Sequence, residues 1–174
     1  MAIHLMDPAF WGLKLGGRVR VASMGPRPNP HSGPTWMITK FEFGQRGDLA
    51  PVDVYWYEGT AKPAAEIAAE WPMNGSRFIG SKGKIAIAHG GEPRLLPEKQ
   101  FEGFSPPESY LPTSPGHHQQ WIEACKTGSP TGSHFGYAGP FTEIVLLGNI
   151  SHRVGRPITY APEKMRVTDN RQAN

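Results

Sequence analysis

The sequence contains a single cysteine, Cys125, so it has no disulfide framework. Cys125 falls in an amphipathic run, and we expect it to be a small buried residue rather than a reactive thiol. No apolar stretch approaches the roughly 18 residues that a transmembrane helix needs. The first residues also lack the basic segment followed by an apolar segment that marks a signal peptide. These absences argue against secreted scaffolds and membrane proteins, and we expect a cytoplasmic location.

Positively and negatively charged side chains are also nearly equal in number. The chain has 18 Lys and Arg against 15 Asp and Glu, which gives a formal net charge of +3 at pH 7. No stretch holds five like charges, and no predicted helix has a basic face. Nucleic-acid binding requires a concentrated basic patch, so we expect no nucleic-acid partner.

Motifs that hold dinucleotides, phosphates or metals are missing from the sequence. The dinucleotide fingerprint is Gly-x-Gly-x-x-Gly, and none of the 21 glycines lies two residues from another. The stretch GSKGK at 80–84 is too short for a phosphate-binding loop, and a strand follows it, so we expect a hairpin turn. His117 and His118 are adjacent and would point about 100° apart on a helix, so they cannot bind one metal ion together. We expect no cofactor and no metal site in this chain.

Glycine and proline are abundant, with 21 and 18 residues and no repeating period. This composition is typical of a domain with many turns and short strands. Residue periodicity predicts strands over 18–24, 35–43, 52–57, 77–79, 84–88, 94–96 and 157–160. It predicts helices over 8–15, 64–70, 114–126 and 140–154, the first begun by Asp7-Pro8 and the last by Pro140.

These elements predict an α+β fold, an open and mostly antiparallel β-sheet with helices packed on one face. We assign residues 1–161 to a single domain and 162–174 to a polar tail. In the strand over 35–43, Met37, Phe41 and Phe43 fall on one face. We expect the sheet face opposite the helices, with Phe41, Phe43 and Trp56 or their alternates, to be an exposed apolar patch that drives self-association.

The first candidate for chemistry is His4, three residues before Asp7. If Asp7 caps a helix that starts at Pro8, the His4 imidazole lies at the mouth of that helix. A neutral histidine at a cleft is suited to act as a general base. The ordinary alternative is an exposed histidine close to a chain terminus.

Several stretches together resemble one protein family, in order and through nearly the whole chain. They are AIHLMDPAFW at 2–11, NGSRFIGSKG at 74–83, GEPRLLP at 91–97, SPGHH at 114–118 with Trp121, and YAGP at 137–140 with Thr142 and Glu143. They resemble the C-terminal domain of Gfo/Idh/MocA oxidoreductases, and most nearly the bacterial subgroup common in planctomycete-like genomes.

The resemblance implies an N-terminal Rossmann domain that binds NAD(P). It implies that the second domain, an open and largely antiparallel sheet, shapes a sugar site and packs against other subunits as a homo-oligomer. The implied reaction is oxidation of a hydroxyl of sugars, inositols or related polyols, or reduction of the ketone. His4 matches the histidine of the family pattern Asp-x-x-x-His, which takes the hydroxyl proton while hydride leaves to the nicotinamide.

The sequence departs from the family where the cofactor would bind. The aspartate of the pattern would precede Met1, and the glycine loop and the Glu-Lys-Pro element are absent. We therefore expect a C-terminal fragment of the oxidoreductase, inactive alone and unable to bind NAD(P). The alternative is a free-standing binding or self-association module. A third reading is an unrelated small enzyme that uses His117 or His118.

Three further residues are candidates for substrate binding: His117, Arg94 and Tyr137. Predicted helix starts near His117 and Tyr137 would present free amides and polar groups toward a cleft. His117 would contact a polyol hydroxyl, and Arg94 would contact an acidic substituent. Their ordinary alternatives are an exposed first-turn histidine and an isolated loop arginine. We expect Trp121 to be a core residue rather than a platform for a sugar ring.

Overall fold

The computed structural model describes residues 1–68 and 74–174. Its α-helices are α1 (Ala2–Gly12), α2 (Ala65–Ala68), α3 (His117–Thr127) and α4 (Phe135–Val154). Its strands are β1 (Val19–Met24), β2 (Trp36–Phe43), β3 (Val52–Gly59), β4 (Gly75–Gly80), β5 (Gly83–Ala88), β6 (Pro93–Leu96), β7 (Ile158–Ala161) and β8 (Arg166–Val167). Short 3-10 helices cover Glu98–Phe101, Pro162–Lys164 and Arg171–Ala173.

The strands form two antiparallel sheets. The larger sheet has the order β3-β2-β1-β7-β8, and the smaller sheet has the order β4-β5-β6. The predicted α+β class is confirmed, although the strands divide between two sheets. The predicted turn at Ser81-Lys82 connects β4 to β5, with Gly80 paired to Gly83.

The period-two pattern of β2 sets which face of the larger sheet is buried. Met37, Thr39, Phe41 and Phe43 are buried, and the residues between them are half-buried. Side chains alternate between the two faces of a strand, so this pattern fixes the register against both neighbours. Phe43 accordingly pairs with Val52 across the hairpin that joins β2 to β3.

Helix α4 covers the buried face of the larger sheet. Phe141, Ile144 and Leu147 of α4 join the hydrophobic core that the strands build. A Cβ atom at Gly148 would lie 3.1 Å from the Thr39 hydroxyl, so glycine permits this close approach of helix and sheet. The Ser23 hydroxyl donates a 2.8 Å hydrogen bond to the Gly148 carbonyl at the same crossing.

Two helices begin earlier than their prolines predict. Helix α1 starts at Ala2 and contains Pro8, and α4 starts at Phe135 and contains Pro140. The prediction that Asp7-Pro8 and Pro140 begin these helices is therefore wrong. In α1, Leu5 and Met6 are buried ahead of the proline, and their packing favours helix over the local stop signal. Pro8 has no N–H to donate, so the His4 carbonyl lacks its usual helical partner.

Helix α3 differs from the prediction in start and in burial. It begins at His117, three residues after the predicted start at Ser114, and it contains no buried residue. Trp121, predicted as a core residue, is 66% exposed, and Cys125, predicted as buried, is also exposed. Both predictions of burial on this helix are therefore wrong, because Trp121 and Cys125 lie on the surface of the described chain.

The segment predicted as a polar tail, 162–174, packs against the larger sheet. Strand β8 pairs with β7 through Tyr160 and Val167, and Val167 is buried. The Asn174 side chain accepts a hydrogen bond from the Val167 N–H and donates one to the Val167 carbonyl. The short helix predicted over 64–70 appears as α2, and residues 69 and 70 lie outside the described residues.

Candidate functional site

His4 lies in the first turn of α1 and is exposed. Its backbone N–H donates to the Met1 carbonyl at 2.9 Å. The imidazole is therefore carried by the helix itself, not by a segment before a helix capped by Asp7.

A second histidine, His89, lies beside His4. It follows β5, and its backbone N–H donates to the Asn74 carbonyl at 2.9 Å. The two imidazole rings meet edge to face, with their centroids 5.8 Å apart. Sequence reasoning did not identify His89, because only the turn after a strand marks it and its partner lies far away along the chain.

Tyr137 joins the start of α4 to α1. Its hydroxyl donates a hydrogen bond to the Asp7 carboxylate, and its ring meets Phe10 edge to face at 5.4 Å. Asp7 is three residues after His4, so the two side chains lie on one side of α1. The predicted substrate residue Tyr137 thus contacts Asp7, which lies one helical turn after His4 and was expected to be a helix cap.

The phenol of Tyr137 stays neutral over the physiological range. Its burial, followed by the hydrogen bond and the charge of Asp7, raises its pKa above the usual value of 10.0. A neutral phenol donates a hydrogen bond to Asp7 and retains lone pairs that can accept a further hydrogen bond.

Arg94 and His117 do not join this group. Arg94 lies on β6 and forms an ion pair with Glu98, with both side chains 67% exposed. His117 begins α3 and lies against His118, with ring centroids 4.1 Å apart. In 1–68 and 74–174, no hydrogen bond, ion pair or ring contact links Arg94 or His117 to His4 or Tyr137. Their roles in substrate binding stay predictions.

The open face of the larger sheet, opposite helix α4, is a second candidate site. The structure does not place Phe41, Phe43 and Trp56 on it, although the sequence predicts them or their alternates there. Phe41 and Phe43 are buried under the helices, and Trp56 is half-buried against the same core. Strand alternation places their neighbours on the open face. This open face carries Ala22, Met24, Trp36, Ile38, Tyr55 and Tyr57.

Charged side chains cross the middle of that open face. Lys40 Nζ lies 3.0 Å from Glu42 Oε1 and 2.8 Å from Asp53 Oδ2, and Arg20 also pairs with Glu42. Hydrogen bonds to Asp53 and Glu42 raise the pKa of Lys40, and those from Lys40 and Arg20 lower the pKa of Glu42. We call these four side chains, Arg20, Lys40, Glu42 and Asp53, the charge row, and its two cations and two anions give it no formal net charge.

No protein-family model matches the chain, and no curated protein matches it. Among residues 1–68 and 74–174 there is no group of three or more His, Cys, Asp or Glu side chains placed to hold a metal ion. The helices formed by those residues include none with the length and apolar character needed to cross a membrane.

The described strands do not form the arrangement with which a Rossmann fold holds a dinucleotide. A dinucleotide fold places the pyrophosphate at a glycine-rich turn between a parallel strand and a helix. Every strand pair in the described chain is antiparallel. A nicotinamide cofactor therefore has no βαβ cradle in this part of the chain.

Proposed function

We propose that this chain is the substrate-side domain of an NAD(P)-dependent sugar or polyol oxidoreductase of the Gfo/Idh/MocA type, with His4 as the proton acceptor. The observation that carries the proposal is the position of His4, exposed in the first turn of α1 and beside the His89 ring. The bond from Tyr137 to Asp7 holds the same helix against α4.

His4 takes the proton of the substrate hydroxyl on an imidazole nitrogen. The Asp7 carboxylate lies one turn further along the same side of α1, where it accepts the hydrogen bond from Tyr137. His89 lines the other side of the imidazole and offers a ring nitrogen to a second hydroxyl of a polyol. The Tyr137 hydroxyl, already donating to Asp7, accepts a hydrogen bond from the substrate.

The hydride acceptor of this proposed enzyme is NAD(P), which in the resembled family is held by a separate Rossmann domain. The described strands of this chain form no Rossmann arrangement for that cofactor, and the residues named above act on the substrate hydroxyls alone. The proposal includes a cytoplasmic location, in keeping with an exposed free thiol at Cys125, which is a feature of reducing compartments.

Calorimetric titration of the chain with a panel of polyols, including myo-inositol and D-glucose, tests the proposal. We expect weak, saturable binding of at least one polyol and its loss in His4→Asn. His31→Asn is the matched control, because His31 is an exposed histidine in the loop between β1 and β2. Equal binding by the two variants would contradict a contact at His4.

The open face favours self-association as a second function, compatible with the first. It combines exposed apolar side chains, such as Met24 at 60% exposure, with a charge row of balanced sign. A face with both signs of charge can pair with its own copy about a two-fold axis without net repulsion. We propose that a second copy of the chain docks there.

A further inference from the structure

A pocket of about 430 Å³ lies between helix α4 and the segment 160–174. Its apolar lining comes from α4, β7, β8 and the 3-10 helix Arg171–Ala173, through Leu147, Ile150, Tyr160, Val167 and Ala173. Three of these side chains, Leu147, Tyr160 and Val167, belong to the hydrophobic core. The core therefore supplies the floor of this pocket, which we call the tail pocket.

The tail pocket is separate from the proposed proton acceptor. None of the residues that line it is His4, Asp7, His89 or Tyr137. Tyr137 lies in the first turn of α4, and Leu147 lies about 15 Å further along the helix axis, since the helix rises about 1.5 Å per residue. A ligand in the tail pocket therefore neither requires nor excludes a substrate at His4.

The lining of the tail pocket is positively charged. Lys164 and Arg166 line it on either side of Met165, both cations are exposed, and no aspartate or glutamate lines it. Within residues 1–68 and 74–174, no ion pair links either cation to an acidic side chain. Two such cations beside an apolar floor favour an anion over a neutral ligand, because water screens charges less at a low-dielectric surface.

The acidic side chains around the tail pocket have other partners. Glu163 forms a 3.4 Å ion pair with Arg18, and Asp169 accepts a 2.8 Å hydrogen bond from a backbone N–H of β7. Burial, and then the charge and hydrogen bond of Glu143, raise the pKa of Tyr160. The carboxylate of Glu143 therefore acts on the Tyr160 phenol, and the two cations of the pocket stay available to a ligand.

The volume and polarity of the tail pocket define the ligand. A water molecule takes up about 30 Å³ of the liquid, so about 430 Å³ corresponds to a ligand of about fourteen non-hydrogen atoms. The Asn174 side chain, which also lines the pocket, is bonded to the main chain of Val167. A sugar would need several free hydrogen-bonding groups, whereas this lining suits an apolar body with one anionic end.

We propose that the tail pocket binds a small carboxylate that carries an apolar body, such as a medium-chain or phenyl-substituted alkanoate. The carboxylate lies against the Arg166 guanidinium and the Lys164 ammonium, and the apolar body rests on Leu147, Ile150 and Val167. A guanidinium can donate two parallel hydrogen bonds to one carboxylate, so Arg166 sets the orientation of the ligand.

Phenylbutyrate, which is close to that size, is the probe, and NMR of the isotope-labelled full chain follows its binding. We expect saturable shifts of the Lys164 and Arg166 signals and of the Leu147 and Val167 methyl groups, with a millimolar or tighter dissociation constant. Phenylbutanol and phenylbutylamine have the same apolar body without the negative charge, and both are expected to bind at least about tenfold more weakly. Inorganic phosphate, which has charge but no apolar body, is expected to leave the methyl signals unshifted.

The double variant Lys164→Gln/Arg166→Gln removes both cations and is expected to bind phenylbutyrate at least about tenfold more weakly. Arg153→Gln/Arg171→Gln is the matched control, because it removes the same charge from two exposed arginines that do not line the pocket. Melting curves check that both variants fold. The comparison of the three ligands on the wild-type chain keeps the test independent of either variant.

Four results would overturn the proposal. They are no saturable shift with phenylbutyrate, equal binding of the alcohol or the amine, equal binding by Lys164→Gln/Arg166→Gln and its control, and shifts of the pocket signals with protein concentration alone. The second result indicates an apolar pocket that does not select charge, and the third indicates that the two cations make no contact with the ligand. The fourth indicates that a second copy of the chain fills the pocket.

Discussion

The Tyr137 hydroxyl donates a hydrogen bond to the Asp7 carboxylate and so ties the first turn of α4 to α1. The bond joins residues 130 positions apart in the sequence. Asp7 and His4 lie on one side of α1. The bond to Asp7 therefore holds in place the part of the helix that carries His4, the proposed proton acceptor. Phe10 strengthens the same junction by stacking on Phe141 with ring centroids 4.6 Å apart.

Tyr137→Phe is expected to destabilise the chain by about 1–2 kcal/mol, because it removes a hydrogen bond to a charged group and leaves a half-buried carboxylate without it. Urea denaturation followed by circular dichroism measures the change. Tyr110→Phe is the control, since Tyr110 is 83% exposed. Equal stability of the two variants would show that the bond contributes nothing.

The same bond predicts a loss of stability at alkaline pH. The pKa of Tyr137 is raised in the folded chain by burial and by Asp7, so above about pH 10 the unfolded phenol loses its proton first. The stabilisation is complete below that pH and declines as the pH rises. We expect the stability advantage of wild type over Tyr137→Phe to shrink between about pH 9 and pH 11. A constant difference across that range would contradict the assigned cause of the shift.

Self-association through the open face is tested with Ile38→Lys. The side chain of Ile38 lies on that face between Met24 of β1 and Tyr57 of β3, so a lysine there places a charge in the contact. Sedimentation velocity is expected to show dimers of wild type and at least about tenfold weaker association of the variant. Tyr110→Lys is the control, and a melting curve checks that both are folded. A wild type that stays monomeric at high concentration rules the contact out.

The chain is expected to bind neither NAD+ nor NADH, because its described strands are all antiparallel and its sequence has no dinucleotide fingerprint. Isothermal titration calorimetry with both forms of the cofactor measures this directly. Micromolar affinity would contradict the assignment of cofactor binding to another domain.

Four strands of the larger sheet, β1, β2, β3 and β7, were predictable from sequence because their pattern is local, whereas the two-residue strand β8 was not. In β2, a strict period of two places Met37 and Phe41 in the core, and the polar turn before Val52 marks the hairpin. Helix starts were less predictable, since Pro8 and Pro140 are start signals that long-range packing overrides. Helix α3 has an amphipathic pattern, and the pattern alone does not say that Trp121 remains exposed.

Part of the candidate site could also be predicted from the sequence. His4 was identified on its sequence context and the family resemblance, and Tyr137 on its predicted helix start. His89 and the role of Asp7 were not, because each depends on a contact between distant elements. Nothing in the residues next to His89 indicates the 5.8 Å approach of its ring to His4.

The most direct test of the account is an NMR search for intermolecular nuclear Overhauser effects between a polyol and the histidine rings. With myo-inositol or another polyol that binds, the account predicts effects from the carbon-bound protons of the ligand to the His4 imidazole, and to His89 beside it. Effects confined to the rings of His117 and His118, with none at His4, would contradict the placement of the substrate at the start of α1.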